Sequence, residues 1–536
     1  MKSPFEVIRS YRSHNATLQD AFDSRCEVKG SEPFIIQDER TTSWAEFDLQ
    51  SRRFARALNE IGVGHGMRVA IMARNDISHV LALFALARLG AILVPVNPEF
   101  GAREAGYILN HADVSGVICE PSLLPVIEEI TSQMSSTVWK ITIGPNPVGL
   151  PDIETLIDPA RQTTGTEPAE TIPVKSTDTC IIIYTSGTTG FPKGVMHSHY
   201  NLVTAGEANV SRLHLQPTDR IMIILPFFHV NAMFYSLGGT LASGACMILV
   251  PRFSASTFWQ TAADKGATVV NVIEAVGSIL CNRDRSEFRP DHQIRVAYGV
   301  RKAAAATFRQ EFGIDKLFSG FGMTEIPGVT CNPWEGPDKP GSMGTVGQHP
   351  DPSIAWAQCR VVDEQGHDVG IDQPGEFWVK TPIVMQGYFR DPEQTAKAFH
   401  DGWLKTGDLV KVDQDGFYYH LSRIKDIIRR RGENIAAAEI EMVVMQQGQI
   451  AQTAAVAVAS DLGEDEILLV AVAKPGENVS EQILHEWCKG HLAAMKVPRY
   501  IVLTDSMPLG PTHKILKSAL RDDKSLHARA KDFQKT

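Results

Sequence analysis

Cysteine is scarce in this chain. Eight occur in 536 residues, at Cys26, Cys119, Cys180, Cys246, Cys281, Cys331, Cys359 and Cys488. No two form a CxxC pair, which argues against a disulfide framework and against a paired-cysteine metal site. They read as reduced, mostly buried small apolar residues of an intracellular protein. An excess of positive charge is also missing. The 52 Lys and Arg face 62 Asp and Glu, a net charge of −10, and a field of that sign argues against broad nucleic-acid binding. The N-terminal run MKSPFEVIRSYRSHNATLQDAF lacks the apolar core of a secretory leader. The most lipid-like stretch, Val80 to Val96, is broken by Arg88, Gly90 and Pro95 and is short for a bilayer span of ~20 residues. It reads as a buried helix running into a buried strand. The final AKDFQKT carries no prenylation, retention or peroxisomal address. No membrane span and a cytoplasmic location are the expectations. There is no Pro- or Ser-rich linker and no internal repeat.

Apolar material is ample. Hydrophobic residues make up 43% and charged residues 21%, enough to offset the conformational entropy lost on folding. The length corresponds to about three to five domain-sized units. Short β-rich apolar runs alternate with helical stretches. Strands are expected at Arg68 to Met72, Ala91 to Val96, Cys180 to Tyr184, Arg220 to Leu225, Cys246 to Val250, Thr268 to Ile273 and Ile294 to Tyr298. Helices are expected at Ile77 to Leu89, Ser256 to Lys265 and Lys302 to Phe312, the last closed by Gly313. Continuous apolar strands separated by helices imply doubly wound, mostly parallel sheets of an α/β protein. From about Pro340 the turns DEQGHD, QPGEF and DQDGF mark a small antiparallel, β-barrel-like unit. Helix and strand alternation then returns in a small α+β region. The boundary is placed at Arg423 to Lys425, giving 1–424 and 425–536.

The sharpest chemical signal is TCIIIYTSGTTGFPKG, Thr179 to Gly194. A strand of β-branched residues runs into hydroxyl and glycine positions, followed by Lys193. Glycines let backbone N–H groups turn inward, hydroxyls add donors and the lysine supplies charge, which makes a phosphate cradle. It is not a Walker A loop, because GK followed directly by Ser or Thr is absent.

This segment resembles the phosphate loop of the acyl- and aryl-adenylating superfamily, the AMP-forming acyl-CoA synthetases among them. Further motifs follow in the superfamily's order: FFH at Phe227 to His229, GFGMTE at Gly320 to Glu325, KTGDL at Lys405 to Leu409, RIKDIIRRRGENI at Arg423 to Ile435 and PTHKILK at Pro511 to Lys517. The resemblance implies a large N-terminal core that binds ATP and the acid, and a mobile C-terminal domain. It implies an ATP-dependent ligase that joins a small carboxylic acid to AMP, releases pyrophosphate and transfers the acyl group to coenzyme A. Two anions meet in the first step, so charge neutralisation and positioning matter more than proton transfer. By resemblance, Thr185, Ser186, Gly187, Thr188, Thr189, Gly190 and Lys193 hold the departing phosphates. Thr324 contacts the α-phosphate, and Glu325 is the Mg²⁺ ligand. Gly320, Phe321 and Gly322 flank the adenine and the acid. Asp408 and Arg423 hold the ribose, and Gly432 approaches the pantetheine of coenzyme A. Lys425 is the hinge. Arg429, Arg430 and Arg431 could meet coenzyme A phosphates. Lys514 bridges the carboxylate and the α-phosphate, and with Thr324, Glu325 and His229 completes the catalytic set. His513 stands where the superfamily carries glycine, so Lys517 is a fallback.

Arg252 to Ile273 and Ala297 to Gly313 look like the crotonobetaine/carnitine–CoA ligase branch. A trimethylammonium acid would want a carboxylate or an aromatic cage, and Glu274 is a candidate anchor. A helix N-terminal acid is the plainer reading of the same residue. Asn231 stands where that branch carries an acid, which leaves room for a neutral short-to-medium or aryl acid. His229, Asn231, Phe234, Val272, Glu274, Tyr298 and Val329 are the pocket candidates. The alternatives are adenylation with delivery to a carrier protein or an amine, a phosphotransferase, and a nucleotide-binding module without turnover. The oligomeric state, monomer or homodimer, is open.

Overall fold

A computed structural model describes residues 1–158, 173–185, 192–337, 339–430, 433–459, 465–510 and 515–534. The expected site residues Ser186, Gly187, Thr188, Thr189, Gly190, Gly432 and Lys514 lie outside the described residues, as does Arg431. Two compact units are present. One takes in Met1–Gly187, Phe191–Gln358 and Val379–Leu404; the other includes Cys359–Trp378 and Lys405–Thr536.

The first unit is built on two seven-stranded sheets. In one, Lys316–Phe318, Val296–Tyr298, Val269–Asn271, Arg220–Ile223, Cys246–Leu249 and Pro33–Gln37 run parallel, with Arg40–Ser43 added as a hairpin. In the other, Ile92–Val96, Arg68–Met72, Gly116–Cys119 and Trp139–Thr142 are parallel to Thr179–Thr185. That strand turns back as an antiparallel hairpin with Lys193–Ser198, and Gly387–Tyr388 pairs beyond it.

The helix Ile77–Arg88 is buried from Ser78 to Arg88. Its apolar residues share one cluster with Ile71 and Ile183 of one sheet and Ile223 and Ile248 of the other. A helix packed on both flanks is apolar all round, which is why this stretch looked lipid-like. Arg88 is tolerated there because its guanidinium pairs with Asp48 and donates to Ser51 Oγ at 3.1 Å. The outer face of the second sheet is covered by Ile108, Leu109 and Ile127 of two further helices. A three-stranded antiparallel sheet, Gly320–Met323, Ile326–Cys331 and Thr345–Val346, completes what positions the site.

Gln358–Val362, Gly375–Lys380, Trp403–Val412 and Tyr418–Arg423 belong to one further sheet, where the small β-barrel-like unit was expected. DEQGHD and DQDGF form its turns, each reversed at a glycine of positive φ, Gly366 (84°) and Gly416 (79°). A four-stranded sheet follows: Ile450–Ala459, Asp465–Ala473, Tyr500–Leu503 and Lys531–Asp532. Apolar clusters cover both its faces. No helix among the described residues is long and apolar enough to cross a membrane.

Candidate active site

The hairpin of Thr179–Thr185 and Lys193–Ser198 carries the two described ends of the expected phosphate loop. Thr185 stands opposite Lys193 in the last pair of its ladder, so the two described residues that flank the glycine-rich segment are neighbours. Lys193 Nζ donates to Gln394 Oε1 at 2.9 Å and sits 4.8 Å from the centre of the Tyr388 ring. An aromatic face and a neutral carbonyl orient the ammonium without cancelling its charge.

Thr324 and Glu325 form the two-residue turn between Gly320–Met323 and Ile326–Cys331, where Met323 pairs with Ile326. The turn is clamped from two directions. The Thr324 carbonyl meets His197 Nε2 at 2.6 Å, and the Tyr388 hydroxyl donates to Glu325 Oε1 at 2.8 Å. His197 belongs to the strand that begins at Lys193, and Tyr388 pairs opposite Val195 of that strand. The strand therefore ties the lysine, the threonine and the carboxylate into one body. Burial holds the His197 imidazole down at about 4, so it is neutral at pH 7 and its Nε2 carries the proton that Thr324 accepts. Glu325 is itself buried, with 7% exposure. A single buried carboxylate is the donor set Mg²⁺ takes when substrate phosphates supply other ligands.

The glycines of GFGMTE have a steric reason. A Cβ at Gly320 would lie 2.9 Å from the Tyr298 hydroxyl, and one at Gly322 would overlap the Tyr235 hydroxyl and come 2.6 Å from the Gly328 nitrogen. Phe321, buried between them, donates its N–H to Thr330 Oγ1 at 3.0 Å.

All seven expected acid-binding residues fall in the same unit. His229 is half-buried, its ring 4.6 Å from that of Phe228. Asn231 opens the π-helical segment Asn231–Leu237, in which Phe234 is fully buried against His197 at 4.8 Å. Val272 donates its N–H to the Tyr298 carbonyl at 2.8 Å, and Val329 is fully buried. Glu274 opens the helix Glu274–Cys281 and is exposed. Asn271 was not anticipated. Its Nδ2 donates to Asn231 Oδ1 at 3.2 Å and to Ser236 Oγ at 3.0 Å. His197, Tyr388 and Gln394 were also missed. For His197 a signal existed, since it shares a strand face with the buried Val195, where a polar residue needs a reason.

In the second unit Asp408 pairs across the ladder with Arg423. Its Oδ1 meets Arg423 Nε at 2.8 Å and His420 Nε2 at 2.9 Å. Oδ2 is buried and has no hydrogen-bond partner among the described residues. A buried carboxylate oxygen without a donor fits a ligand hydroxyl. Lys425 sits in the one-turn element Ile424–Asp426, where burial lowers its pKa. The arginine run divides. Arg429 is exposed and pairs with Glu364 at 3.1 Å. Arg430 is buried, paired with Glu466 at 2.9 Å and bonded to the Met495 and Val497 carbonyls. The expectation that Arg430 meets a cofactor phosphate is thereby corrected: its charge is spent on holding its own domain together. Lys517 is committed to Glu441 at 2.7 Å.

A family model for AMP-binding enzymes matches residues 22–389, and one for the AMP-binding enzyme C-terminal domain matches residues 439–514. The long-chain-fatty-acid–CoA ligase FadD13 of Mycobacterium tuberculosis is 29% identical over 90% of this chain and 93% of its own. The crotonobetaine/carnitine–CoA ligase of Salmonella paratyphi A is 27% identical over 94% and 98%. Among solved structures, ATP-bound MatB from Rhodopseudomonas palustris superposes with a TM-score of 0.82 at 26% identity, over 95% of this chain and 98% of that one. The anthranilate CoA ligase AuaEII with anthranoyl-AMP gives 0.83 at 25% identity, over 96% and 98%.

Proposed function

The chain belongs to the AMP-binding enzyme family and is an AMP-forming acyl-CoA ligase that uses ATP and coenzyme A, and from that premise we propose how its residues divide the work. The acid's carboxylate oxygen bonds to the α-phosphorus, and the α–β phosphoanhydride bond breaks to release pyrophosphate. The coenzyme A thiol then attacks the acyl carbon, AMP leaves, and the thiol proton passes to solvent.

Lys193 and Thr185, with Ser186 to Gly190, hold the departing phosphates. Thr324 offers its hydroxyl to the α-phosphate from a turn that His197 fixes through the carbonyl. Glu325, oriented by Tyr388, holds Mg²⁺, which supplies charge neutralisation on the phosphates. Gly320, Phe321 and Gly322 give the adenylate a surface without protruding side chains. Asp408 Oδ2 accepts from a ribose hydroxyl while Arg423 holds Oδ1. Lys514 bridges the two reacting anions, and the pairing of Lys517 with Glu441 supports Lys514 over that fallback. His229, Asn231, Phe234, Val272, Tyr298 and Val329 line the acid pocket. The working division is 1–424 and 425–536, with Lys425 as hinge and Gly432 beside the pantetheine, in a cytoplasmic enzyme.

The observation that carries this reading is the clamp on the Thr324–Glu325 turn: His197 and Tyr388 join one carboxylate and one hydroxyl to the strand that begins with Lys193. The test is product analysis with ATP, Mg²⁺, coenzyme A and a panel of carboxylic acids. AMP, pyrophosphate and an acyl-CoA are expected, with pyrophosphate release reduced ~10²–10³-fold in Lys514→Ala, as for loss of an oxyanion donor. An acyl-adenylate without thioester would redirect the acceptor to a carrier protein or an amine. Unchanged pyrophosphate release in Lys514→Ala would refute the assigned lysine.

A further inference from the structure

Behind the glycine hairpin lies a charge that the mechanism leaves unused. Arg212 is on the last turn of the helix His199–Leu213 and is 5% exposed. Its Nη2 donates to the Gly328 carbonyl. Nε and Nη1 are buried without a hydrogen-bond partner among the described residues, and none of the ion pairs among those residues includes Arg212. The other deeply buried arginines are better compensated, although Arg88 Nη1 and Arg430 Nε also lack a hydrogen-bond partner among the described residues. Arg88 has Asp48, Arg430 has Glu466, and Arg25 makes four hydrogen bonds, three to carbonyls and one to Ser24 Oγ. Arg212 has one carbonyl, a side-chain contact with the Tyr235 hydroxyl and two ring faces, with its Cζ 5.7 Å from the Tyr235 ring centre and 5.9 Å from that of Trp356. An arginine cannot discharge by losing its proton, and an uncompensated buried cation is strongly unfavourable.

Its position says what would compensate it. A Cβ at Gly328 would overlap the guanidinium, and one at Gly322 would overlap the hydroxyl of Tyr235, the residue under that guanidinium. Arg212 therefore backs the surface proposed to carry the adenylate, next to the fully buried pocket residue Val329.

We propose that Arg212 is the specificity determinant for the far end of the substrate, and that the acid carries a second carboxylate. One carboxylate reacts at the α-phosphate, and the other stays ionised against Nε and Nη1, a planar donor pair matched to it. The inference rests on the ligase reading and adds the substrate class. It excludes a trimethylammonium acid, whose cation would face a second cation across low-dielectric material, and leaves the exposed Glu274 as a helix N-terminal acid.

The test measures kcat/KM for AMP formation by the wild-type enzyme on chain-matched pairs: butyrate and succinate, valerate and glutarate, benzoate and phthalate, with crotonobetaine beside them. At least one dicarboxylic acid is expected to exceed its monocarboxylic partner by about 10²-fold or more, as when a site's buried polar group is otherwise left unpaired. Arg212→Gln should abolish that preference mainly through KM while leaving monocarboxylic turnover, and Arg212→Lys should restore part of it. A purely structural arginine would lower both members of each pair equally. Equal or better use of every monocarboxylic member, or of crotonobetaine, by the wild type overturns the inference and leaves the ligase standing. If no acid yields AMP, the ligase reading fails and takes the inference with it. The wild-type comparison decides even if the variants do not fold.

Discussion

Three histidines should make this fold acid-labile well above the carboxylate range. His79, His197 and His199 are buried, and burial lowers each imidazole from its ordinary value to about 4. His79 stacks on Phe227 at 5.6 Å, and neither of its nitrogens has a hydrogen-bond partner among the described residues. His199 Nδ1 accepts the Leu18 N–H at 3.3 Å, which requires that nitrogen to be unprotonated. The folded pKa lies below the unfolded one, so the unfolded chain takes up protons first as pH falls. The stability is fully present above about pH 6.5 and is lost progressively down to about pH 4. At pH 5 a group moved from 6.5 to 4 has given up about 2 kcal/mol, so the three together forfeit about 6 kcal/mol, within the range of a whole domain's stability. Thermal unfolding at a fixed scan rate from pH 7.5 to 4.5 should show a fall in midpoint that begins near pH 6.5. His79→Leu should keep the neutral-pH midpoint, because an unbonded buried imidazole gives nothing back for its desolvation. It should also remove about a third of the loss at pH 5. A midpoint flat between pH 7 and 5, or a His79→Leu slope equal to wild type, would refute the argument.

Tyr388→Phe keeps the ring beneath Lys193 and removes the hydroxyl on Glu325 Oε1. Loss of one hydrogen bond to a charged group, ~1.5–3 kcal/mol, should slow pyrophosphate release about 10- to 100-fold, raise the Mg²⁺ required and lower the melting midpoint by no more than that loss of stability. An unaltered Mg²⁺ titration would dissociate Tyr388 from Glu325. Gly322→Ala would press on the Tyr235 hydroxyl and the Gly328 nitrogen, so adenylate formation should fall more than 10²-fold while the chain still folds; near-normal rates would mean that the hairpin yields. Asp408→Asn, measured by ATP titration, should raise the apparent KM for ATP far more than that for the acid, and equal effects on both would remove Asp408 from the ribose. Burial alone would raise the Glu207 carboxyl, but hydrogen bonds from His14 at 3.0 Å and His349 at 3.2 Å outweigh it and hold it down at about 2. Its contribution is present above about pH 4.5 and lost toward pH 2. Glu207→Gln should therefore lower the neutral-pH midpoint and flatten the acid limb below pH 4.5; an unchanged limb would place the proton elsewhere.

The parallel cores were legible because a strand buried on both faces has to be apolar throughout. Cys180 to Ile183 is such a run, and its structure is a central strand continuing to Thr185. Element ends were less legible, because tertiary packing decides them. The strand expected over Thr268 to Ile273 closes at Asn271, since Ile273 already caps the next helix. Thr324, Glu325, Asp408 and Arg423 could be named as candidates because each sits inside a motif, and the ladder that pairs Asp408 with Arg423 explains why two residues 15 positions apart belong to one hydrogen-bonded group. His197, Tyr388 and Gln394 were missed because they support motif residues from other elements, and no spacing rule connects position 197 to 324 or 388 to 325.

Buried charge is the hardest feature to read from a linear chain, and it separates what a family resemblance can tell from what it cannot. Nothing in RLHLQPTDR distinguishes Arg212 from the solvated basic residues among the chain's 52, because the distinction lies in what surrounds it. Arg430 looked like a cofactor contact from its RRR run and is instead locked to Glu466. Arg212 carries no motif signal and is a buried guanidinium with two nitrogens that lack a hydrogen-bond partner among the described residues. The motifs therefore fix the step common to the family, a carboxylate meeting an α-phosphate, since those groups are the same for every acid. The remainder of the acid is recognised by residues outside the motifs. An ionised, desolvated side chain at that end must be matched by the substrate, and so the charge balance around Arg212 constrains this enzyme's acid more tightly than its resemblance to any one ligase.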